Sequence, residues 1–106
     1  MKRVAANKVM IDEHTLLLNT VVEYDDNGVV TAIFPLSEQL SEPASTCFFN
    51  GLITTEVSLE RCVMGTFIPD LLTERLSVGY KGRLLLWQNI NFVTLKVTSD
   101  TKIQPL

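Results

Sequence analysis

The stretch FFNGLITTEVSLE, residues 48–60, decides the fold that this sequence predicts. Aromatic and β-branched residues dominate it, and these residue types are typical of β-strands. We expect one strand from residue 47 to about residue 59. Because side chains on a strand alternate with a period of two, Glu56 and Ser58 are expected to project from the same face.

A β-hairpin is predicted over residues 16–34, on the N-terminal side of that strand. Its turn is the run DDNG, residues 25–28, because Asn and Gly accept the positive φ that a tight hairpin turn requires. Pro35 cannot donate to a ladder and marks the end of the returning strand. An earlier strand is predicted over residues 2–11.

One short helix is predicted within residues 66–76. Pro69 suits a first helical turn, and Asp70 suits the positive end of the helix dipole. Further strands are expected over residues 82–87 and over residues 92–97, where Val93, Leu95 and Val97 would form the apolar face.

A last short strand is expected over residues 102–106. The polar residues 37–45 predict a surface loop with one helical turn around residues 37–40. The sum is a mainly β fold, and two packed sheets, a small β-sandwich with one short helix, are the expected architecture.

Length and charge narrow the classes of function. A chain of 106 residues predicts a single domain, 1–106. The net charge of −3 leaves no basic stripe for phosphates, so we expect no nucleic-acid partner. No apolar run reaches the ~18 residues that span a bilayer, so a soluble, cytoplasmic protein without a membrane partner is expected. Cys47 and Cys62 are then expected to be reduced thiols.

Three segments together resemble the metal-dependent amidohydrolases of the cytosine deaminase and imidazolonepropionase type. Residues 16–33 resemble the opening hairpin of these enzymes. Residues 49–60 resemble their segment P-G-[FL]-I-[ND]-x-H-x-H-L-E, and residues 78–91 resemble their C-terminal return strand, G-x-x-A-D-L-x-x-[LW]-x. The resemblance implies a composite β-sandwich, with 1–60 as its N-terminal segment and 77–106 as its C-terminal segment.

The resemblance also implies that the catalytic part of the family is missing. A (β/α)₈ barrel of about 250 residues is inserted into the family's sandwich, whereas this chain has only residues 61–76 as a linker or helix. The two metal-binding histidines correspond to Glu56 and Ser58, which are a poor pair for zinc. His14 is the only histidine. We therefore expect no catalytic residues, no metal site and no cofactor, and hence no enzyme.

Four features have both a functional and a structural interpretation. Glu56 with Ser58 could form a hard-cation site or a solvent-facing strand edge, and residues 25–28 could form a calcium loop or a hairpin turn. His14 could be a general base or a solvated turn residue. Cys62 could be a nucleophile, but His14 is its only candidate base. Trp87 is expected to pack in the core.

The missing barrel suggests a protein-interaction or oligomerisation module. A sandwich without its barrel would expose an apolar face, and such faces normally bind proteins. The expected partner is a second copy or another protein subunit. The candidate interface residues are Phe48, Phe49, Phe67, Ile68, Leu71, Leu72 and Leu76.

Three alternatives stay open. One is a small-molecule binding module, since the mouth of a sandwich or partial barrel can hold a ligand, although the sequence offers no convergent polar set. A residual hydrolase acting on C–N bonds is another. The third is a folded remnant without a selected activity.

Overall fold

A computed structural model describes residues 1–38 and 46–106. Within these residues six strands form one sheet in the order β3-β2-β1-β4-β5-β6. Its strands are β1 (Lys2–Asp12), β2 (Thr15–Tyr24), β3 (Val30–Pro35), β4 (Thr46–Thr55), β5 (Leu84–Gln88) and β6 (Lys102–Pro105). The prediction of a mainly β fold is confirmed, and its strands are joined in a single hydrogen-bonded sheet.

The predicted hairpin is present as β2 and β3. Asp25 Oδ1 accepts the backbone N–H groups of Asn27 at 2.9 Å and Val29 at 3.0 Å, and Gly28 has a φ of +79°. An Asp that binds the backbone two residues onward, followed by a left-handed Gly, is the turn chemistry that residues 25–28 predict. β3 lies at the sheet edge. Pro35, its last residue, has no N–H to donate, and at an edge this does not interrupt the hydrogen bonds between inner strands.

The centre of the sheet is the parallel pair β1 and β4. Every other neighbouring pair is antiparallel. A parallel pair needs a crossover connection, and here the chain crosses from β3 to β4 over the two strands between them.

The sheet bends so that its β3 edge meets the chain just before β5. Val30 N–H donates to Tyr80 O at 2.9 Å, and Gly79 N–H donates to Val30 O at 2.8 Å. A bridge between Val29 and Lys81 extends this contact. The sheet therefore has an enclosed inner face and an outer face.

Each face carries its own hydrophobic core. The inner core contains Val4, Ala6, Val9, Ile11, Val22, Val30, Ile53, Leu76, Tyr80, Leu84 and Leu86. The outer core contains Met10, Leu52, Val57, Ile68, Leu71, Leu85, Trp87, Ile90 and Val97. Alternate β5 side chains enter different cores, which explains why β5 is a continuous apolar run.

The helix predicted within residues 66–76 is present only as a 3-10 turn, Ile68–Leu71. Its flanking backbone groups bond to distant segments instead of to a helical ladder. Ile68 N–H donates to Leu95 O at 2.9 Å, and Leu76 N–H donates to Ile11 O at 2.8 Å. Tertiary pairing therefore replaces the propensity that favoured a helix.

The strand predicted over residues 92–97 is wrong. The chain turns back there, since Asn91 Oδ1 accepts the N–H groups of Val93 and Thr94, both at 3.0 Å. Leu95 has a φ of +56°, and the Val93 side chain is 92% exposed. Within residues 92–97 the only isolated bridges are those of Lys96, to Asn91 and Phe67.

The helical turn predicted around residues 37–40 is a 3-10 turn at Leu36–Glu38. The remainder of the predicted loop, residues 39–45, lies outside the described residues. β4 ends at Thr55, earlier than the expected residue 59.

Candidate functional site

Glu56 and Ser58, the two residues at which the resemblance predicts a lost metal site, lie just beyond the end of β4. Glu56 and Ser58 are exposed, and Val57 between them is buried in the outer core. Glu56 N–H donates to the Tyr80 hydroxyl at 3.2 Å. In residues 1–38 and 46–106 no three His, Cys, Asp or Glu side chains are grouped as a metal site would need.

His14 lies in the exposed turn between β1 and β2. Its backbone N–H donates to Asp12 Oδ1 at 2.9 Å, and this hydrogen bond lowers the pKa of Asp12 below its usual value. Arg75 also binds the Asp12 carboxylate. His14 Nε2 lies 3.5 Å from Glu13 Oε1, in full solvent contact. These groups fix a turn at the sheet end.

Cys62 is half-buried, and its Sγ lies 3.7 Å from Ser58 O. Burial raises the pKa of the Cys62 thiol, so the reactive thiolate is disfavoured there. Trp87 is fully buried and donates from Nε1 to Thr54 Oγ1 at 2.8 Å, which confirms its predicted place in the core.

The predicted interface residues differ in how far they are exposed to solvent. Ile68 and Leu71 are buried in the outer core, and Leu76 is buried in the inner core. Those three side chains cover the sheet and do not reach the surface, which corrects the prediction for them. Leu72 and Phe49 are half-buried, whereas Phe48 and Phe67 remain exposed.

Phe67 is one of four exposed apolar side chains that are close in sequence, Leu59, Val63, Met64 and Phe67, which we name the apolar patch. Their exposed fractions are 55%, 63%, 73% and 40%. All four fall within residues 59–67, and the sequence reasoning missed the first three because that segment has neither a helical nor a strand period. The sequence feature that could have indicated these exposed residues is the high number of apolar residues in a segment without helical or strand periodicity.

Backbone hydrogen bonds hold the apolar patch in place. Cys62 N–H donates to Leu59 O at 3.1 Å, and Thr66 N–H donates to Val63 O at 3.0 Å. Gly65 N–H donates to Val97 O at 2.8 Å, which fixes the segment to the outer side of the molecule. The backbone that carries the apolar patch is therefore held by hydrogen bonds.

A second surface feature is a cavity of about 350 Å³, the mouth cavity, on the inner face where β1 begins. The register places Lys2 beside Tyr24 and Val4 beside Cys47, so strands β2, β1 and β4 all contribute to it. Phe49 and Leu106 complete its apolar wall. Leu106 is held there by its N–H, which donates to Leu84 O at 2.9 Å.

Comparisons with models of known protein families, with curated proteins and with solved structures each found no match to this chain. No helix in the described part of the chain is long and apolar enough to cross a membrane. The fold and surfaces define a small, mainly β protein with a bent six-stranded sheet.

Proposed function

We propose that this chain is a non-catalytic, self-associating β-domain, similar to the sandwich domain of metal-dependent amidohydrolases without the barrel, and that its apolar patch binds a second copy. The observation that carries the proposal is the position of the patch. It lies in residues 59–67, at the point where the resemblance places the missing barrel, and Leu59, Val63, Met64 and Phe67 are each exposed there.

Solvent exposure of these side chains favours association. Burying apolar surface is the main driving force for most protein–protein contacts, and grouped exposed apolar residues mark interaction sites. Because the backbone of residues 59–67 is already hydrogen-bonded, little conformational entropy is lost when a partner covers it.

The charges at the patch favour a second copy over an unrelated partner. Glu60 and Arg61 are adjacent and exposed, and neither forms an ion pair within the described residues. A two-fold dimer presents the same surface twice, so residue i of one copy meets residue j of the other. The Glu60 carboxylate of each copy can then face the Arg61 guanidinium of the other.

Two features of the chain support a non-catalytic role. Glu56 and Ser58 occupy the positions of the family's metal-binding histidines, and the chain contains one histidine in all. Catalytic zinc normally takes three protein ligands, mostly histidine nitrogen.

Light scattering coupled to size-exclusion chromatography tests the proposal. We expect the wild-type protein at micromolar concentration to show about twice the chain mass of 11.9 kDa. Met64→Lys places a charge at the most exposed position of the patch and is expected to shift the protein to the monomer.

Val78→Lys is the matched control, because Val78 is exposed to a similar degree, 65%, but lies outside residues 59–67. It is expected to leave the dimer unchanged. A wild-type monomer at these concentrations would overturn self-association. A dimer that survives Met64→Lys would show that another surface forms it.

A further inference from the structure

The mouth cavity has an apolar interior and free polar groups at its edge. Val4, Phe49 and Leu106 provide aliphatic and aromatic surface, and the Tyr24 ring packs against the inner core below them. Its volume of about 350 Å³ is near the lower end of the ~300–1,000 Å³ range of small-molecule sites.

The charged groups around the cavity leave one cation unpaired within the described residues. Arg3 Nε donates to Glu23 Oε2 at 2.7 Å, and the Met1 amino group lies 3.8 Å from Asp26. Lys2 has no such partner: no Asp or Glu side chain lines the cavity, and the main-chain carboxylate of Leu106, which is part of the lining, forms no ion pair with Lys2.

Tyr24 adds a neutral donor. Its hydroxyl makes no hydrogen bond to the described part of the chain. Burial raises the pKa of Tyr24, and the neighbouring Cys47 adds to the rise, so the hydroxyl keeps its proton at neutral pH. It can therefore donate to an anionic group in the cavity.

From this geometry we infer that the mouth cavity binds a small amphipathic carboxylate, whose apolar body lies against Val4, Phe49 and Leu106 while its anionic group faces the Lys2 ammonium and the Tyr24 hydroxyl. The site is separate from the apolar patch, because it lies on the inner face and uses none of residues 59–67. An uncharged lipid of the same length would fill the apolar part but leave Lys2 unpaired.

Alkylation of Cys47 gives a direct readout of occupancy, since Cys47 is exposed at the cavity and Cys62 lies elsewhere. The full chain is treated with iodoacetamide, and the rate at each cysteine is followed by mass spectrometry. The probes are decanoate and, as the uncharged control, decanol, both below their aggregation concentrations. At a decanoate concentration of roughly three times its Kd, alkylation of Cys47 is expected to slow about fourfold.

The Cys62 rate is expected to stay unchanged, which excludes unfolding by the probe. Lys2→Gln is expected to weaken decanoate binding by about two- to fivefold and to leave decanol binding as it was. Lys102→Gln, which removes an exposed lysine outside the cavity, is expected to change neither.

Two results would overturn the inference. If neither probe protects Cys47, the cavity is not a binding site for such molecules. If decanol protects Cys47 as well as decanoate does, or if Lys2→Gln has no effect on decanoate, the cavity does not select an anion.

Discussion

Gly51 is the residue at which one added methyl group is expected to matter most. It is buried in β4, where a Cβ would lie 2.6 Å from Trp87 O and 3.0 Å from Leu86 Cδ1. Both contacts come from β5, whose backbone cannot retreat without breaking its ladder with β4. Gly51→Ala is therefore expected to lower the free energy of unfolding by about 1–3 kcal/mol. Urea denaturation followed by the fluorescence of Trp87, the single tryptophan, measures this change.

Asn50→Ala is the control for Gly51→Ala. Asn50 is the preceding residue on the same strand, but its side chain is exposed, so its replacement is expected to change stability by no more than about 0.5 kcal/mol. Equal urea midpoints for Gly51→Ala and the wild type would contradict the close approach of β4 and β5. The sequence marks Gly51 only through the family resemblance, since its contact with Trp87 depends on which strands become neighbours.

An ion pair between strands β1 and β2 is expected to make the stability of the fold depend on pH. Arg3 and Glu23 face each other across the ladder, and their side chains are half-buried. The Arg3 hydrogen bond holds the pKa of Glu23 below its usual value of 4.5. A lowered folded-state pKa means that the stabilisation is fully present above the unfolded pKa and is lost as pH falls through the folded pKa.

We therefore expect the wild-type free energy of unfolding to fall as pH is lowered below about 4.5. Glu23→Gln is expected to lower the free energy of unfolding by about 1–2 kcal/mol near neutral pH. It is also expected to make the decrease in this free energy at acidic pH smaller. Urea denaturation across the acid range measures both effects. Glu60→Gln, at an exposed carboxylate without an ion pair in the described residues, should reproduce the wild-type acid profile. An unchanged profile in Glu23→Gln would show that Arg3 does not stabilise the charged form.

Elements whose signals are local were predictable, and elements that depend on distant partners were not. The β2–β3 hairpin follows from Asp25 and Gly28, which determine their own turn. The Ile68–Leu71 turn had the residues of a helix start, but its neighbouring N–H groups bond to Leu95 and Ile11. The alternation in residues 92–97 predicted a strand because the sequence does not show that Asn91 folds the chain back.

At the scale of the whole molecule, the bend of the sheet decides which surfaces exist. The bend brings Leu106 to the same cavity as Tyr24 and Lys2. Leu106 and Lys2 lie at opposite ends of the sequence. Sequence reasoning found no convergent polar set because Lys2 and Tyr24 become neighbours only through the pairing of β1 with β2. The same packing buries Ile68, Leu71 and Leu76 and leaves Phe67 with Leu59, Val63 and Met64 at the surface.

This division between buried sheet and exposed segment predicts a pattern of amide hydrogen exchange. Amides of β1, β4 and β5 are expected to exchange most slowly, because each of these strands is paired on both sides and contributes to both cores. Residues 59–67 are expected to exchange faster in the monomer, since few apolar contacts cover them. If the apolar patch joins two copies, exchange in residues 59–67 slows as protein concentration rises, while exchange in β3 at the sheet edge stays constant. Slowing in β3 instead would place the contact at the sheet edge, and concentration-independent exchange in both segments would leave the chain a monomer.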